Sequence, residues 1–239
     1  MSNPIRSALS RMKNMVAPDK VDHVKHSYAQ CGEDLILSHL FHELRIVSPT
    51  YVDIGAHHPT YINNTYLFHL RGSRGINIEP DPVLFRRFVT ERPADTNLNI
   101  GIGETRSVAD LYVMNEPTLN TFVKEEADRT HSQHPGYFIK EVVKVPVHTI
   151  NEVLAEHGPF QEPDLLSLDV EGLDEVVVRS MAARPKVMCI ETITFSTRNA
   201  GTKKTGLMEH VQQLGYFIYA DTFINTIFVR NDLWPGRGV

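Results

Sequence analysis

Two stretches of the chain decide the fold: Tyr51-Val52-Asp53-Ile54-Gly55-Ala56-His57-His58-Pro59 and Gly75-Ile76-Asn77-Ile78-Glu79. Each is a short apolar run that reaches an acid, and the first continues into a glycine and a turn. This pattern is typical of a strand–loop–helix–strand unit that binds a nucleoside. A sharp turn lets backbone N–H groups approach such a ligand, and an acid on the next strand reaches its ribose diol.

The composition fits one α/β domain with an N-terminal arm. The chain has 239 residues, of which 41% are hydrophobic and 22% are charged, so it can bury an ordinary core. The formal net charge is −5 without a long basic run, which argues against nucleic acid as the partner. No stretch reaches the roughly 18 apolar residues of a membrane span. The two cysteines, Cys31 and Cys189, predict a reduced, cytoplasmic protein.

The predicted domain boundary separates residues 1–26, the arm, from residues 27–239, a single domain. In the arm, apolar residues recur at helical spacing while basic residues occupy the other faces. Two interpretations stay open. The arm is either a packing segment, or a basic amphipathic helix that contacts a membrane surface or a partner. The sequence assigns no oligomeric state.

Further apolar runs extend the unit into a sheet. Together with the two opening runs, the predicted strands are 51–54, 75–78, 97–100, 164–168 and 186–190, with a terminal hairpin at 216–220 and 225–230. Predicted helices alternate with these strands, and one of them covers residues 61–70. This rhythm predicts a parallel sheet with right-handed crossovers.

The middle of the chain predicts additions to this sheet. Residues 108–114 and 142–147 alternate apolar and polar side chains, so we expect them to extend the sheet as antiparallel strands. Residues 115–137 between them are polar, and so are residues 192–204. A connection as long as 115–137 is usually functional or disordered. We expect residues 115–137 to form a lid or substrate loop and residues 192–204 to form a second, mobile loop.

Acids lie at the carboxyl ends of four of the predicted strands: Asp53, Glu79, Asp169 and Glu191. Ligands in an open α/β sheet bind outside the carboxyl ends of the strands. A single acid at such a position is often only a solvated cap, but four at successive strand ends predict a shared cleft.

The turn after the first strand discriminates between two cofactor classes. A nicotinamide dinucleotide requires Gly-x-Gly-x-x-Gly, whose second glycine admits the pyrophosphate, and Gly55-Ala56-His57-His58-Pro59-Thr60 has only the first glycine. S-adenosylmethionine has no phosphate. It needs one glycine for close approach, an acid near its amino group and an acid for its ribose, which Gly55, Asp53 and Glu79 supply. The sequence therefore favours a methyltransferase over an oxidoreductase.

Five motifs in order give the chain a specific resemblance. They are Gln30-x-Gly32-Glu33-Asp34, Val52-Asp53-Ile54-Gly55-Ala56-His57-His58-Pro59, Asn63-Asn64-Thr65, Gly75-Ile76-Asn77-Ile78-Glu79-Pro80-Asp81 and Leu168-Asp169-Val170-Glu171-Gly172. On these motifs the chain resembles the FkbM-type family of S-adenosylmethionine-dependent methyltransferases. The resemblance implies a Rossmann-like class I methyltransferase fold, with a mostly parallel seven-stranded sheet, helices on both faces and an antiparallel edge hairpin. It also implies O-methylation of a hydroxyl on a sugar, a glycan or a related natural product, and the His-His-Pro variant is similar to members linked to polysaccharide synthesis.

The resemblance also implies the residues that bind the cofactor. Asp53, Gly55 and Ala56 should line its methionine half, Glu79 its ribose, and Pro80 and Asp81 its adenine. The other expected contacts are Asn99 and Gly101 at the adenine edge, Gln30 and Glu33 at the amino-acid end, and His57 and Asp169. The chain departs from the family pattern at Pro59, where a glycine is usual, which affects the path of the loop.

Methyl transfer to a hydroxyl needs a group that accepts its proton. Asp169 is the first candidate because it ends the strand beside the cofactor strand, and His57, His58 and Glu171 follow. Asp169 and Glu191 also suit Mg²⁺, although Thr192 stands where related metal enzymes have a second acid. A metal-free base and a Mg²⁺ site stay open as alternatives. A non-catalytic module that kept the fold and binds a glycan or a protein stays open beside both.

Overall fold

A computed structural model describes residues 24–170, 172–194 and 201–234 of the chain. The predicted N-terminal helix, Glu171 and part of the predicted loop 192–204 lie outside the described residues. No helix of the described part is long and apolar enough to cross a membrane.

Strands and helices alternate along the first half of the chain, as the apolar runs predict. The strands are β1 (Tyr51–Ile54), β2 (Gly75–Ile78), β3 (Thr96–Leu98), β4 (Gly101–Ile102), β5 (Ser107–Met114), β6 (Ile139–His148), β7 (Leu165–Leu168), β8 (Val187–Glu191), β9 (Tyr216–Asp221) and β10 (Asn225–Arg230). The helices are α1 (Glu33–Glu43), α2 (Tyr66–Leu70), α3 (Pro82–Glu91), α4 (Lys124–Gln133), α5 (Ile150–Glu156), α6 (Asp174–Ser180) and α7 (Thr205–Gln213).

Seven strands of the described chain form one sheet in the order β3-β2-β1-β7-β8-β10-β9. The pairs on either side of β1 are parallel and in register, with Ile54 opposite both Ile78 and Leu168. β10 runs antiparallel to β8 and to β9. The predicted seven-stranded, mostly parallel sheet with an antiparallel hairpin at its edge is confirmed. Because the strands are in register, the strand ends that carry the predicted acids lie side by side.

Helices cover both faces of this sheet because its central strands are buried on both sides. On one face, Val52, Ile54 and Leu168 pack in a cluster with residues of α5, α6 and α7. On the other face, Tyr51 and Leu165 pack with residues of α1 and α2. Each fully buried apolar side chain contributes roughly 1.5–3 kcal/mol, so these two layers fix the strand ends.

The segment after β3 forms a second, three-stranded sheet of order β4-β6-β5. The prediction that residues 108–114 and 142–147 extend the main sheet is therefore wrong, and the predicted strand 97–100 ends at Leu98. The bend follows from Asn99, whose side-chain amide donates to the carbonyl oxygens of Glu79 and Pro80, both at 2.9 Å. These bonds turn the chain away before Gly101 pairs with Val147.

Two predicted segments have a different local structure. The predicted helix 61–70 begins only at Tyr66, because Ile62 has a φ of +47° and the side chains before the helix bind a buried carboxylate. The predicted loop 115–137 contains a short 3₁₀ helix at Pro117–Leu119 and the helix α4. The sequence of α4 is so polar that its short buried side, Ala127 and Thr130, gave no periodic signal.

Candidate active site

A cavity of about 720 Å³ opens at the carboxyl ends of β1, β2, β7 and β8. Its volume lies within the range of roughly 300–1,000 Å³ that small-molecule sites have. The second sheet, residues 116–122 and the turn between β9 and β10 complete its walls. The structure brings the four strand-end acids together here: Asp53, Glu79, Asp169 and Glu191 all line the cavity.

The turn after β1 depends on Gly55, which has a φ of +74°. A Cβ atom at this position would lie 1.7 Å from the carbonyl oxygen of Asp169. The backbone N–H groups of Gly55 and Ala56 both donate to the carbonyl of Ile78, at 3.0 and 3.1 Å. The glycine therefore lets the ends of three strands approach one another. Pro59, where the chain departs from the family pattern, lies after this turn.

Glu79 is a buried acid at the end of β2. Its side chain accepts one hydrogen bond from the backbone N–H of His57 at 2.7 Å and one from that of Asp81 at 2.8 Å. Burial raises the pKa of Glu79 to about 8, although the two N–H groups oppose this rise. A carboxylate oxygen has two acceptor sites, so each oxygen can accept a further bond from a ligand hydroxyl.

Asp53 is held by a buried polar network that the sequence did not reveal. Its Oδ2 accepts from the Thr65 hydroxyl at 2.8 Å and from the Asn63 amide at 3.1 Å. Both side chains also accept from Arg92, at 3.1 and 3.2 Å. Arg92 in turn forms an ion pair with Asp95 at 2.8 Å, and both of these side chains are 0% exposed. Burial raises the pKa of Asp53 and the Arg92 charge opposes this rise.

Three residues that the sequence assigned to the cofactor lie outside the cavity lining, where they hold its walls. Glu33 is fully buried and accepts from Thr222 at 2.7 Å and from Asn225 at 3.0 Å. Asp81 caps α3, and Asn99 holds the two carbonyls that bend the chain. The other assigned residues line the cavity: Gln30, Asp53, Gly55, Ala56, His57, Glu79, Pro80, Gly101 and Asp169.

The candidate bases divide by position. Asp169 and His57 line the cavity, whereas His58 does not. Burial lowers the pKa of His57, so its imidazole is neutral at pH 7 and can accept a proton. His58 instead accepts from the backbone N–H of Thr60 at 3.2 Å. Glu171 lies outside the described residues.

Glu191 faces a lysine rather than a second acid. Its Oε2 accepts from the Lys204 ammonium at 2.9 Å, and the same ammonium binds Asp174 at 2.9 Å. Burial raises the pKa of Glu191 and Lys204 opposes this rise. Within the described ranges, no group of three or more His, Cys, Asp or Glu side chains could hold a metal ion. The Mg²⁺ site expected at Asp169 and Glu191 therefore gains no support.

Several lining residues escaped the sequence reasoning. Ser167 interrupts the apolar strand β7, and Asn64 donates to its hydroxyl at 3.2 Å. Both face the cavity, as do Thr194 and Asn225. Ser167 could have been identified from the sequence, because it is a polar residue within an otherwise apolar strand. Residues 116–122 carried no comparable signal because their role depends on how the second sheet folds back.

The donor and acceptor groups of the cavity fit the cofactor that the sequence favours. We call Asp53, Gly55 and Glu79 the cofactor end. Asp53 is a carboxylate suited to an ammonium group, and Glu79 has open acceptor sites suited to a ribose diol. Ile78, Pro80 and Leu84 line the same end and would give an adenine ring an apolar contact.

Comparison with known proteins agrees with this geometry. A family model described as the methyltransferase FkbM domain matches residues 53–218, which include the end of β1 and all of β2, β7 and β8, with the four strand-end acids. A search among curated proteins returned no match to the chain. The family uses S-adenosylmethionine as its methyl donor, which the cofactor end accommodates. The match covers more than half of the chain, and the chain therefore belongs to the FkbM methyltransferase family.

Proposed function

We propose that this protein transfers a methyl group to a hydroxyl of a sugar, a glycan or a related natural product. One observation carries the proposal: a single cavity joins the cofactor end to a second region with its own acids and polar side chains. We call this region the acceptor end. It comprises Glu116 to Phe122, Asp169, Val170, Glu191, Ile193, Thr194 and Phe223 to Asn225.

The cofactor end would hold the methyl donor through the residues already described. S-adenosylmethionine supplies, when bound, an electrophilic methyl group on a sulfonium. Asp53 would bind its ammonium and Glu79 its ribose hydroxyls, while Gly55 leaves room for close approach. The protein's contribution is positioning, because two reactants held in alignment react many orders of magnitude faster than in free solution.

The acceptor end would orient the hydroxyl and take its proton. Asp169 directly follows β7, the strand beside β1, so this acceptor-end acid lies next to the cofactor strand. Carboxylates, amides and hydroxyls are the groups that recognise sugar hydroxyls by hydrogen bonding. We assign the role of general base to Asp169 and regard the neutral His57 as the second candidate.

The decisive experiment measures binding and transfer separately. Calorimetry should detect S-adenosylmethionine binding to the wild type, and a labelled methyl group should appear on a saccharide acceptor. Asp169→Asn should retain cofactor affinity within a few-fold while transfer falls by about 10²–10⁴-fold, the usual effect of losing a general base. Asp110→Asn, which alters an exposed acid of the second sheet, is the matched control and should retain full transfer.

The alternative function has a different signature. A non-catalytic module would fold normally and transfer no methyl group to any saccharide. Absence of cofactor binding would contradict the proposed function outright, and transfer that persists in Asp169→Asn would contradict the assigned base. We place the reaction in polysaccharide biosynthesis in the cytoplasm. Two free cysteines, Cys31 and Cys189, support a reducing compartment.

A further inference from the structure

The ionisable side chains among the described residues that line the cavity are acids and one histidine, and Glu79, with a pKa of about 8, is largely uncharged at pH 7. Five of the described lining residues are acids: Asp53, Glu79, Glu116, Asp169 and Glu191. Lysine and arginine are absent from the described lining residues. Two of the acids belong to the cofactor end, and Glu116, Asp169 and Glu191 surround the space that is left for the acceptor.

Two lysines near the acceptor end, Lys203 and Lys204, are engaged by acids. Lys204 binds both Glu191 and Asp174, each at 2.9 Å. Lys203 binds Asp221 at 2.8 Å and lies over the ring of Phe223 at 5.8 Å. Neither lysine lines the cavity. These acids already balance the charges of the two lysines, so neither lysine supplies uncompensated positive charge for a phosphate in the acceptor end.

The histidine of the lining does not offset the acids. Burial lowers the pKa of His57, which keeps its ring neutral at pH 7. The remaining polar groups of the acceptor end are uncharged: the amides of Asn120 and Asn225 and the hydroxyls of Thr118, Thr121 and Thr194. Such groups bind hydroxyls well, but they do not neutralise an anion.

An anionic acceptor would therefore be poorly compensated here. Proteins that bind phosphate or carboxylate ligands supply Arg or Lys, because an ionised group leaves water only when it is paired. Like charges placed side by side cost several times the thermal energy. A hydroxyl or an ammonium group has the opposite preference, since carboxylates accept hydrogen bonds from both.

From this arrangement we infer that the acceptor group which enters the cavity is an uncharged or cationic sugar, such as a neutral hexose or an amino sugar, and not a phosphorylated sugar or a uronic acid. The inference rests on the proposed function and narrows its substrate class. If the acceptor is attached to a nucleotide or a lipid pyrophosphate, its phosphates remain outside the cavity.

Matched acceptors test the inference. We would compare methyl glucoside and glucosamine with glucose 1-phosphate, glucose 6-phosphate and glucuronate, using labelled S-adenosylmethionine. The two phosphates differ in position, so a blocked hydroxyl cannot explain a loss at both. We expect kcat/KM for the anionic acceptors to be roughly 100-fold lower than for the neutral ones. Comparable transfer to an anionic acceptor would overturn the inference.

A charge reversal at the rim gives a readout that does not need turnover. Glu116 is exposed, and its side chain accepts from the Thr118 hydroxyl at 3.2 Å, so Glu116→Lys leaves the core intact. Glu141→Lys makes the same change at an exposed position on β6 outside the lining. Equilibrium dialysis with glucose 1-phosphate should show roughly tenfold tighter binding to Glu116→Lys than to the wild type, and no gain for Glu141→Lys.

The outcomes separate the two proposals. Missing cofactor binding or missing transfer to all five acceptors refutes the proposed function, and the charge inference is then judged by dialysis alone. Saturable binding of glucose 1-phosphate to the wild type, or no gain in Glu116→Lys, overturns the charge inference even when transfer is found. Gain in Glu116→Lys alone supports it.

Discussion

The cofactor end and the second sheet both line the cavity, but they hold their charges in opposite ways. Behind the cofactor end, the ion pair of Arg92 and Asp95 has both side chains 0% exposed. On the second sheet, Lys144 and Asp110 form an ion pair with side chains 77% and 43% exposed. Buried charges must be fully paired, whereas water compensates exposed ones. The cofactor end is therefore fixed by a network that tolerates little change, and the second sheet is fixed mainly by strand pairing.

Substitution of Gly55 should break the cofactor end most severely. In Gly55→Ala the new Cβ meets the Asp169 carbonyl at 1.7 Å, and the backbone keeps a φ of +74°. Strain and overpacking together should cost about 4 kcal/mol or more of unfolding free energy. Gly172→Ala is the control, because its φ is +94° and no atom of the described residues, chain neighbours aside, lies within 4 Å of the Cβ, and it should cost only about 1–2 kcal/mol. Equal losses of unfolding free energy for the two variants, measured with urea, would contradict the predicted clash with the Asp169 carbonyl.

Removal of the buried cation tests the comparison directly. Arg92→Met leaves Asp95 and Asp53 without their shared positive charge, and unfolding free energy should fall by about 3–4 kcal/mol. Lys144→Met removes a cation from the second sheet and should cost less than about 1 kcal/mol. Denaturant unfolding of both variants measures the two losses in unfolding free energy, which can then be compared. Similar losses would mean that the two regions do not differ as their burial indicates.

Glu79 allows a finer test through pH. Its pKa rises from an ordinary 4.5 to about 8 in the folded protein. The stability that it contributes is therefore fully present below its ordinary pKa and is lost as pH rises towards 8. Glu79→Gln cannot titrate, so its unfolding free energy should fall less steeply than that of the wild type between about pH 5 and pH 8. The exposed Glu141→Gln should leave the wild-type slope unchanged, and an unchanged slope in Glu79→Gln would refute the pKa assignment.

The sequence carried the central sheet well because local pattern and tertiary role agree there. The predicted bounds of β1 and β2 match the structure residue for residue, since a strand buried on both faces is a short, mainly apolar run bounded by turn residues. The division of residues 96–102 between two sheets has no such local signature. It depends on Asn99 reaching carbonyls that lie about twenty positions earlier in the chain.

The candidate site could be predicted from the sequence only in part, as was true of the fold. Acids after buried strands predicted the cavity lining, and all four line it. The burial of Arg92 could not be predicted, because an arginine at the end of a helix is ordinarily exposed. Its burial depends on partners such as Asn63 and Thr65. Glu33 shows the converse: a polar motif does not distinguish a side chain that faces a ligand from one that ties a wall to the turn at Asn225.

The pairing of β4 with β6 has a consequence for how this protein can diversify. Gly101 lies opposite Val147, and Ile102 lies opposite His148, so the chain leaves and rejoins the α/β body at neighbouring points. The chain between these two points forms a long insertion whose ends lie close together. The entropic cost of closing such an insertion grows only slowly with its length. Recombination or insertion within it can replace the wall that we assign to the acceptor while the strands that carry the cofactor end stay unaltered. A new acceptor range can therefore arise by exchange of one module.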